Sequence, residues 1–257
     1  MATMTRAAVS LSIVSHGQAA LVAALLDDLQ KHCNPTSLEV VLTVNIPEEL
    51  PASLTHLSFP LKVIHNASPL GFGENHNHAF LQAEGEFFCV VNPDVRMDSD
   101  VFPVLLASLK LASVGVVAPL VVDANGTVED SARRFPTPLK ILCKLFGRCA
   151  GGDYVIGTLP IYPDWVGGMF MLFRREVYQE MGGFNEKFFL YYEDVDLCAR
   201  IWLKGLRVAL IPQARVTHDA RRSSHKNAAY LLVHSRSMLR FFLSAAFRRV
   251  MVLRMKG

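Results

Sequence analysis

Short apolar runs alternate with segments of helical periodicity through the first 120 residues. Five runs rich in β-branched residues predict strands, at 8–14, 38–44, 61–65, 87–91 and 114–122. Apolar residues at helical spacing and helix-capping residues predict helices between them, at 18–33, at 75–83 and, with Asp98 or Ser99 as its cap, at 98–112. This alternation predicts an α/β fold with a Rossmann-like, mostly parallel sheet flanked by helices.

The pattern changes after residue 123, where irregular segments separate shorter elements. We expect, in order, a turn at 123–126, apolar runs at 139–146 and 169–173, helices at 175–181 and 193–204, and a strand at 206–211 that Pro212 ends. The segment 227–253 predicts one or two further helices. We therefore expect a main domain over residues 1–220 and a helical extension over residues 221–257.

Composition narrows the class of protein. The chain has 257 residues, of which 51% are hydrophobic, and a mean hydropathy of +0.27. No uninterrupted apolar run approaches the roughly 18–20 residues of a spanning helix, and the first residues lack the apolar core of a signal peptide. Five scattered cysteines without CxxC spacing favour neither a disulfide framework nor a zinc site. These features predict a cytoplasmic protein.

Charge is distributed unevenly along the chain. Nine of its 26 basic residues, and none of its 23 acidic residues, lie in the extension 221–257. There they alternate with apolar clusters, as in a helix that lies on an anionic membrane surface. The alternative is an ordinary packed helix with a solvated basic face. We expect no nucleic-acid partner, because neither a base-stacking pattern nor a groove-reading motif is present.

Polar residues follow the strand predicted at 87–91. Asn92-Pro93-Asp94 places a carboxylate at the carboxyl end of a buried strand, where ligands of such sheets bind. A divalent ion held there would neutralise a departing diphosphate. The alternative is a turn in which the side chain bonds only to its own backbone. Ser15-His16 and Asn45 also follow predicted strands.

A second acidic group begins the helix predicted at 193–204. Glu193, Asp194 and Asp196 follow an aromatic run at 188–192 that would exclude water and favour a protonatable base. The helix dipole would favour these acids whatever their role. Since residues two apart point to different sides of a helix, we expect Asp194 to be the base and Asp196 to be structural. His218 follows the last predicted strand, and we expect it to lie beside Asp94.

The order of these pieces resembles glycosyltransferase family 2, of GT-A fold, and within it the bacterial rhamnosyltransferase-like members. The resemblance covers about residues 8–220. It rests on VSH at 14–16, SPLGFGENHN at 68–77, FCVVNPDV at 88–95, DSARRFPT at 130–137, WVGGMFMLFRR at 165–175, GGFNEKFFLYYEDVDLCAR at 182–200, and the segment 205–218.

The resemblance implies roles for individual residues. Asp94 and His218 match ligands of a Mg²⁺ or Mn²⁺ ion, and Asp194 matches the base that deprotonates the acceptor. Contacts to the nucleotide sugar are implied for Ser15, His16, Asn45, Asn77, Asn92 and Asp94. Contacts to the acceptor or to a phosphate are implied for Arg133, Arg134, Trp165, Gly167, Gly168 and Glu193.

The resemblance also implies an activity: inverting, cation-dependent transfer from a nucleotide sugar, with dTDP-L-rhamnose as the candidate donor. The acceptor would be a cell-surface glycan or a lipid-linked glycan, and the protein would then lie at the inner face of the cytoplasmic membrane. Asn45 and Asn92 stand where the family commonly has acids. These departures support the alternative of a non-catalytic sugar-nucleotide-binding or scaffold subunit of a polysaccharide assembly complex.

Overall fold

The computed structural model describes residues 7–145, 152–218 and 228–256. The strands are β1 Val9–Ser15, β2 Leu38–Val44, β3 Leu61–His65, β4 Phe87–Val91, β5 Val95–Arg96, β6 Val114–Val122, β7 Ala132–Arg133, β8 Trp165–Val166, β9 Phe170–Arg174 and β10 Arg207–His218. The helices are α1 Ala19–His32, α2 Phe72–Gln82, α3 Phe102–Leu109, α4 Pro138–Leu145, α5 Arg175–Glu180, α6 Glu193–Leu203, α7 Ala228–Phe242 and α8 Ala245–Lys256.

Eight strands form one mixed sheet in the order β3-β2-β1-β4-β9-β6-β10-β5. The first four are mutually parallel, and β6 pairs in parallel with β10. Strand β9 runs antiparallel between β4 and β6, so β6 and β10 point the same way as β1, β2 and β4. The predicted α/β fold with a mostly parallel sheet is confirmed, and the carboxyl ends of six strands (β1, β2, β3, β4, β6 and β10) share one edge.

Two apolar clusters cover the two faces of the sheet. Helices α1 and α3 pack on one face, whereas α2, α5, α6, α7 and α8 pack on the other. Strand β2 is buried along its whole length, which explains why its sequence reads as a continuous apolar run. Each fully buried Val, Leu, Ile or Phe side chain contributes about 1.5–3 kcal/mol. The sheet is therefore a rigid support for the loops at its carboxyl edge.

Helix α2 begins at Phe72 rather than at residue 75 as the periodicity predicted. The two glycines around Phe72 permit a close approach that other residues would block. A Cβ on Gly71 would lie 2.8 Å from the carbonyl oxygen of Phe189, and one on Gly73 would lie 2.6 Å from Cβ of Phe184. The glycines therefore allow α2 to pack closely against the segment before α6, and the predicted helix start at residue 75 was wrong.

Strand β10 continues past Pro212 to His218, so the predicted end at residue 211 was also wrong. Its pairing with β6 shifts register between Ile211 and Arg215. Such an irregularity accommodates Pro212, which lacks the N–H that a regular ladder needs. The continued strand carries His218 to the functional edge of the sheet, where it pairs with Val95 of β5.

The predicted helix at 98–112 is confirmed only in its centre, Phe102–Leu109. The N–H of Phe102 donates a 3.0 Å hydrogen bond to Oδ1 of Asp100, so the predicted caps, Asp98 and Ser99, do not cap the helix.

The region after residue 227 forms two helices, α7 and α8, and Phe241 and Val250 from them are each only 1% exposed. The predicted boundary between main domain and extension, at residues 220 and 221, lies outside the described residues. None of the helices in the described ranges is long and apolar enough to cross a membrane.

Candidate active site

The first part of the site lies where β1 and β2 end. The hydroxyl of Ser15 is buried and accepts the N–H of Gln18 at the start of α1. Asn45 is also buried, and its amide oxygen accepts the backbone N–H of Leu70 and the side-chain amide of Asn66, both at 2.8 Å. Its amide nitrogen lies 3.1 Å from Nδ1 of His16. Asn45 thus fixes the surrounding loops and leaves the exposed His16 ring to face solvent.

The second part of the site joins β4, β5 and β10. Nε2 of His218 lies 3.4 Å from Oδ1 of Asp94, so the predicted neighbourhood of these two residues is present. Nδ1 of the same ring lies 2.9 Å from Oε2 of Glu129. Burial disfavours a charged imidazole, but the hydrogen bonds and negative charges of Asp94 and Glu129 outweigh burial and raise the pKa of His218 to about 9.

The side chains at this point fit a divalent cation. Oδ1 of Asp94 is buried and makes no regular hydrogen bond, since Nε2 of His218 lies 3.4 Å away. A carboxylate oxygen beside an imidazole nitrogen that has released its proton is a donor pair that Mn²⁺ and related ions accept. No group of three or more His, Cys, Asp or Glu side chains suited to a metal occurs in residues 7–145, 152–218 and 228–256. A cation here would therefore take its remaining ligands from a diphosphate and from water.

The third part of the site is the start of α6. Oδ2 of Asp194 accepts the N–H of Gly168 at 3.0 Å, and Oδ1 accepts the N–H of Val195 at 2.8 Å. Burial raises the pKa of Asp194, although these two donors and the positive charge of Arg133 oppose the rise. The residue as a whole is intermediate in exposure. A carboxylate with a raised pKa at such a position is suited to accept a proton.

Two tyrosines hold an unusual backbone just before Asp194. Tyr191 and Tyr192 have φ values of 69° and 68°, and they are the only residues other than glycine with positive φ in the described ranges. Left-handed backbone at a non-glycine residue costs about 1–3 kcal/mol and concentrates at functional sites. The turn places the first residues of α6 next to Gly167 and Gly168, the glycine pair between β8 and β9, where Gly168 bonds to Asp194.

The other two acids of α6 point elsewhere. Glu193 is buried with one oxygen unpartnered, and burial together with the charge of Asp194 raises its pKa well above the usual range. Burial therefore disfavours the ionised form of Glu193. Asp196 is 2% exposed and pairs with Arg200 at 2.8 Å, and Arg200 also donates to the carbonyl of Gly183. Asp196 thus braces α6, as the helix geometry predicted.

The paired arginines separate into two environments. Arg133 stacks over the ring of Trp165, with 5.5 Å between guanidinium and ring centroid, and pairs with Asp130 at 3.0 Å. Its charge acts on Asp194. Arg134 instead lies over the ring of Tyr154, and its backbone carbonyl accepts the indole N–H of Trp165. Arg133 and Trp165 therefore lie beside the start of α6, whereas the Arg134 side chain packs on Tyr154 instead.

Asn77 lies apart from these groups. Its amide oxygen accepts the hydroxyl of Tyr178 and the N–H of Phe184, and its amide nitrogen donates to the carbonyl of Phe184 and to Glu186. Every hydrogen-bonding position of the side chain is thus used to hold the turn before α6. The expected contact between Asn77 and a diphosphate gains no support from this placement.

A pair of backbone hydrogen bonds connects the second and third parts of the site. The N–H of Asn92 donates 2.9 Å to the carbonyl of Met169, and the adjacent Gly168 donates to Asp194. Gly167 is held as well, because its N–H donates to the carbonyl of Ser131. The loop of Asp94 and the carboxylate of Asp194 are therefore both bonded to one short segment of backbone, Gly168–Met169.

Sequence reasoning missed Glu129 as a member of the site. It follows the turn at 123–126 in a stretch without periodicity or motif. The bridge between Val122 and Val128 and the hydrogen bond from the N–H of Glu129 to the carbonyl of Val121 bring it back to the sheet edge. No local signal marks Glu129, because its position depends on this return of the chain to β6.

The fold and the family together define a class of protein, namely a glycosyltransferase with a GT-A sheet. Residues 7–239 match the family described as glycosyltransferase-like family 2, and the chain belongs to this family. The predicted resemblance is therefore confirmed at the level of the family and of the fold.

Two relatives of known name and one solved structure show how far the similarity extends. An N-acetylglucosaminyl-diphospho-decaprenol L-rhamnosyltransferase of Mycobacterium tuberculosis is 29% identical over 59% of this chain, which spans only 53% of that relative's length. The rhamnosyltransferase WbbL of Escherichia coli is 25% identical over 92% of this chain and 90% of its own. The crystal structure of GalNAc-T7 with UDP, GalNAc and Mn²⁺ superposes with a TM-score of 0.66 at 17% identity, covering 84% of this chain and 44% of that chain.

Proposed function

We propose that this chain is an inverting glycosyltransferase that uses a divalent cation, Mg²⁺ or Mn²⁺, to transfer a sugar from a nucleotide diphosphate. The observation that carries the proposal is that Asn92, two residues before Asp94, and the carboxylate of Asp194 bond to adjacent residues of one backbone segment, Met169 and Gly168, while His218 lies 3.4 Å from Asp94. The Asp94 end of this arrangement suits a leaving diphosphate, and the Asp194 end suits an acceptor hydroxyl.

Residues on the donor side would bind and stabilise the leaving group. Asp94 and His218 would hold the cation, which supplies positive charge to the diphosphate when it is bound. Glu129 orients the His218 ring through Nδ1 and thereby directs Nε2 toward Asp94. The Arg133 guanidinium, fixed by Trp165 and Asp130, is placed to compensate further negative charge.

On the acceptor side, Asp194 would act as the general base. As the acceptor oxygen forms its bond to the anomeric carbon, its proton passes to Asp194, and the bond from that carbon to the diphosphate breaks with its electron pair on the diphosphate. A single displacement of this kind inverts the configuration at the anomeric carbon. The N–H groups of Gly168 and Val195 keep the carboxylate in one orientation throughout.

For the substrates, we propose dTDP-L-rhamnose as donor and a lipid-linked or cell-surface glycan as acceptor. Support comes from the names of the two relatives, one of which transfers L-rhamnose to a diphospho-decaprenol-linked sugar. Because this chain spans about half of that relative, the substrates remain part of the proposal.

A panel of nucleotide sugars tests the activity directly. The full chain is incubated with each donor, Mn²⁺ and a short-chain N-acetylglucosaminyl-diphospho-lipid, and the anomeric configuration of the product is read by NMR. We expect transfer from dTDP-L-rhamnose with inversion, and none with the Asp194→Asn variant. Binding of a donor without transfer to any acceptor would instead favour the non-catalytic sugar-nucleotide-binding subunit.

We further propose that the exposed face of α7 rests on the anionic inner surface of the cytoplasmic membrane. Leu232, Leu239 and Leu243 are between 51% and 69% exposed and recur along one face of the helix, with the exposed Arg236 and Arg240 beside them. Neither arginine forms an ion pair within the described part of the chain. A row of leucines flanked by free guanidinium groups suits a lipid surface that carries negative charge.

Vesicle co-sedimentation tests this surface. The Leu239→Gln/Leu243→Gln double variant is compared with the wild type on vesicles with and without phosphatidylglycerol. A Leu111→Gln/Leu159→Gln variant is the matched control, because these leucines are equally exposed elsewhere (54% and 74%). We expect only the α7 variant to lose binding to the anionic vesicles. Equal sedimentation of the two variants would contradict the proposal.

A further inference from the structure

The left-handed turn at Tyr191 and Tyr192 needs support from outside α6. Two successive non-glycine residues at φ near 70° are strained. Tyr192 occupies the N-cap position of α6, yet its side chain makes no capping hydrogen bond. The Ser, Thr, Asp or Asn that usually stabilises a helix start is absent from this position. The orientation of Asp194, two residues further on, therefore depends on what holds the turn.

Helix α7 supplies three contacts to this turn. The hydroxyl of Ser237 donates 2.8 Å to the carbonyl of Leu190, and the serine is only 3% exposed. The ring of His234 stands edge-on to both tyrosine rings, with 5.3 Å between centroids in each case. Phe241 packs against Tyr192 at 5.8 Å. These three residues are spaced by three and four positions, so they lie on one face of α7, and that face packs along the turn from Leu190 to Tyr192.

We propose that Ser237 and His234 are positioning residues for the catalytic base, acting on Asp194 through the Tyr191–Tyr192 turn. Ser237 fixes the backbone where the turn begins, and His234 fixes the two rings within it. Loss of either contact lets the turn relax toward ordinary backbone angles and rotates the first turn of α6. The hydrogen bond from Gly168 to Asp194 then loses its alignment. This inference rests on the proposed role of Asp194 as base.

Transfer kinetics with three serine variants tests the role of Ser237. Ser237→Ala removes the hydroxyl, Ser237→Thr keeps it, and Ser235→Ala makes the same change at an exposed position of the same helix. For Ser237→Ala we expect kcat to fall about tenfold or more while KM for the donor changes less than twofold. Ser237→Thr should recover most of the loss, and Ser235→Ala should match the wild type.

A second readout does not require a known substrate. Hydrogen–deuterium exchange of peptides covering residues 188–196 reports the order of the turn in the full chain without donor or acceptor. We expect faster exchange there in Ser237→Ala and in His234→Ala, with the strands of the sheet unchanged. His234→Phe keeps a ring against the two tyrosines and should restore slow exchange.

The two readouts separate the possible failures. If the wild type transfers no sugar but exchange rises as expected, the proposed function fails and the support of the turn by α7 stands. If exchange at 188–196 is the same in Ser237→Ala and Ser235→Ala, the positioning role is refuted whatever the activity. A general fall in stability, with faster exchange across the sheet, would also refute it, because the contact would then be merely structural.

Discussion

The backbone N–H of Gly168 donates a 3.0 Å hydrogen bond to Oδ2 of Asp194. A Cβ on Gly168 would lie 3.4 Å from the ring of Phe72 and 3.7 Å from Cβ of Asp194, which are ordinary contact distances. The backbone N–H of Gly168, rather than the lack of a side chain there, therefore holds the carboxylate of Asp194.

Replacing Gly73 by alanine should destabilise the fold, whereas Gly168→Ala should be tolerated. A Cβ on Gly73 would lie 2.6 Å from Cβ of Phe184, too close for two carbon atoms, but a Cβ on Gly168 would meet its neighbours at ordinary contact distances. Overpacking of the first kind costs about 1–3 kcal/mol. We expect the thermal midpoint to fall in Gly73→Ala and to stay near the wild type in Gly168→Ala. Equal midpoints of the two variants would show that the close approach of Gly73 to Phe184 is unimportant.

Asp194→Asn should abolish transfer without unfolding the chain. The amide retains one acceptor oxygen for the N–H of Gly168 or Val195 but cannot take up a proton, and general-base catalysis is worth about 10²–10⁴-fold in rate. Donor binding, measured by calorimetry, should stay within about twofold of the wild type. Asp196→Asn provides the contrast, because it weakens the pair with Arg200 and should reduce stability rather than remove the base.

Glu129→Gln should weaken cation-dependent donor binding through His218, because Nδ1 of that ring lies 2.9 Å from the Glu129 carboxylate. Loss of a partner that orients a metal-binding histidine typically costs 10–100-fold in metal affinity. Titration of a nucleoside diphosphate with Mn²⁺ present and absent measures the effect, and Asp94→Asn should show a larger one. Asp98→Asn, an exposed acid on the same loop, serves as the control. An unchanged Mn²⁺ dependence in Glu129→Gln would show that the cation binds elsewhere.

Asp28→Asn should destabilise the fold in a pH-dependent way. Burial opposes ionisation of Asp28, but hydrogen bonds from Arg96 and from the N–H of Met97 outweigh burial and lower its pKa. A lowered pKa means that the carboxylate stabilises the fold above its unfolded pKa and that this contribution disappears as pH falls through the folded pKa.

We therefore expect Asp28→Asn to lose about 1–3 kcal/mol of unfolding free energy at pH 7, with the difference from wild type shrinking below about pH 4. Urea denaturation at several pH values measures this. Asp27→Asn is the control, because its pair with Lys31 is exposed and such pairs contribute little. A constant difference between Asp28→Asn and wild type from pH 7 to pH 3 would refute the assignment.

Much of the sheet followed from the sequence because buried parallel strands read as continuous apolar runs, as at 38–44 and 87–91. The errors arose where tertiary contacts override local signals. Proline usually ends a strand, yet the register shift in β10 accommodates Pro212. Glycine usually marks a loop, yet Gly71 and Gly73 lie at the start of α2 because Phe184 and Phe189 pack against them.

Some residues of the candidate site were predicted from the sequence and others were not, again because tertiary contacts are not visible in local patterns. Polar residues after strands identified Asp94 and His218, since the ends of parallel strands meet at one edge. The resemblance to a family identified Asp194. Nothing local distinguished Arg133 from Arg134, because only the stacking on Trp165 selects one of them. Glu129 and the supporting face of α7 depend on contacts between distant segments and could not be found from pattern alone.

The register shift in β10 has a further consequence for how the chain tolerates changes in length. Side chains alternate between the two faces of a strand, so a shift by one residue moves each of them to the opposite face. His218 lies three residues beyond Arg215, after the shift. Deleting one residue between Ile211 and Arg215 would turn the imidazole away from Asp94 even if the sheet formed normally. In relatives with the same cleft, the number of residues here should be invariant, whereas the surface loops are free to lengthen.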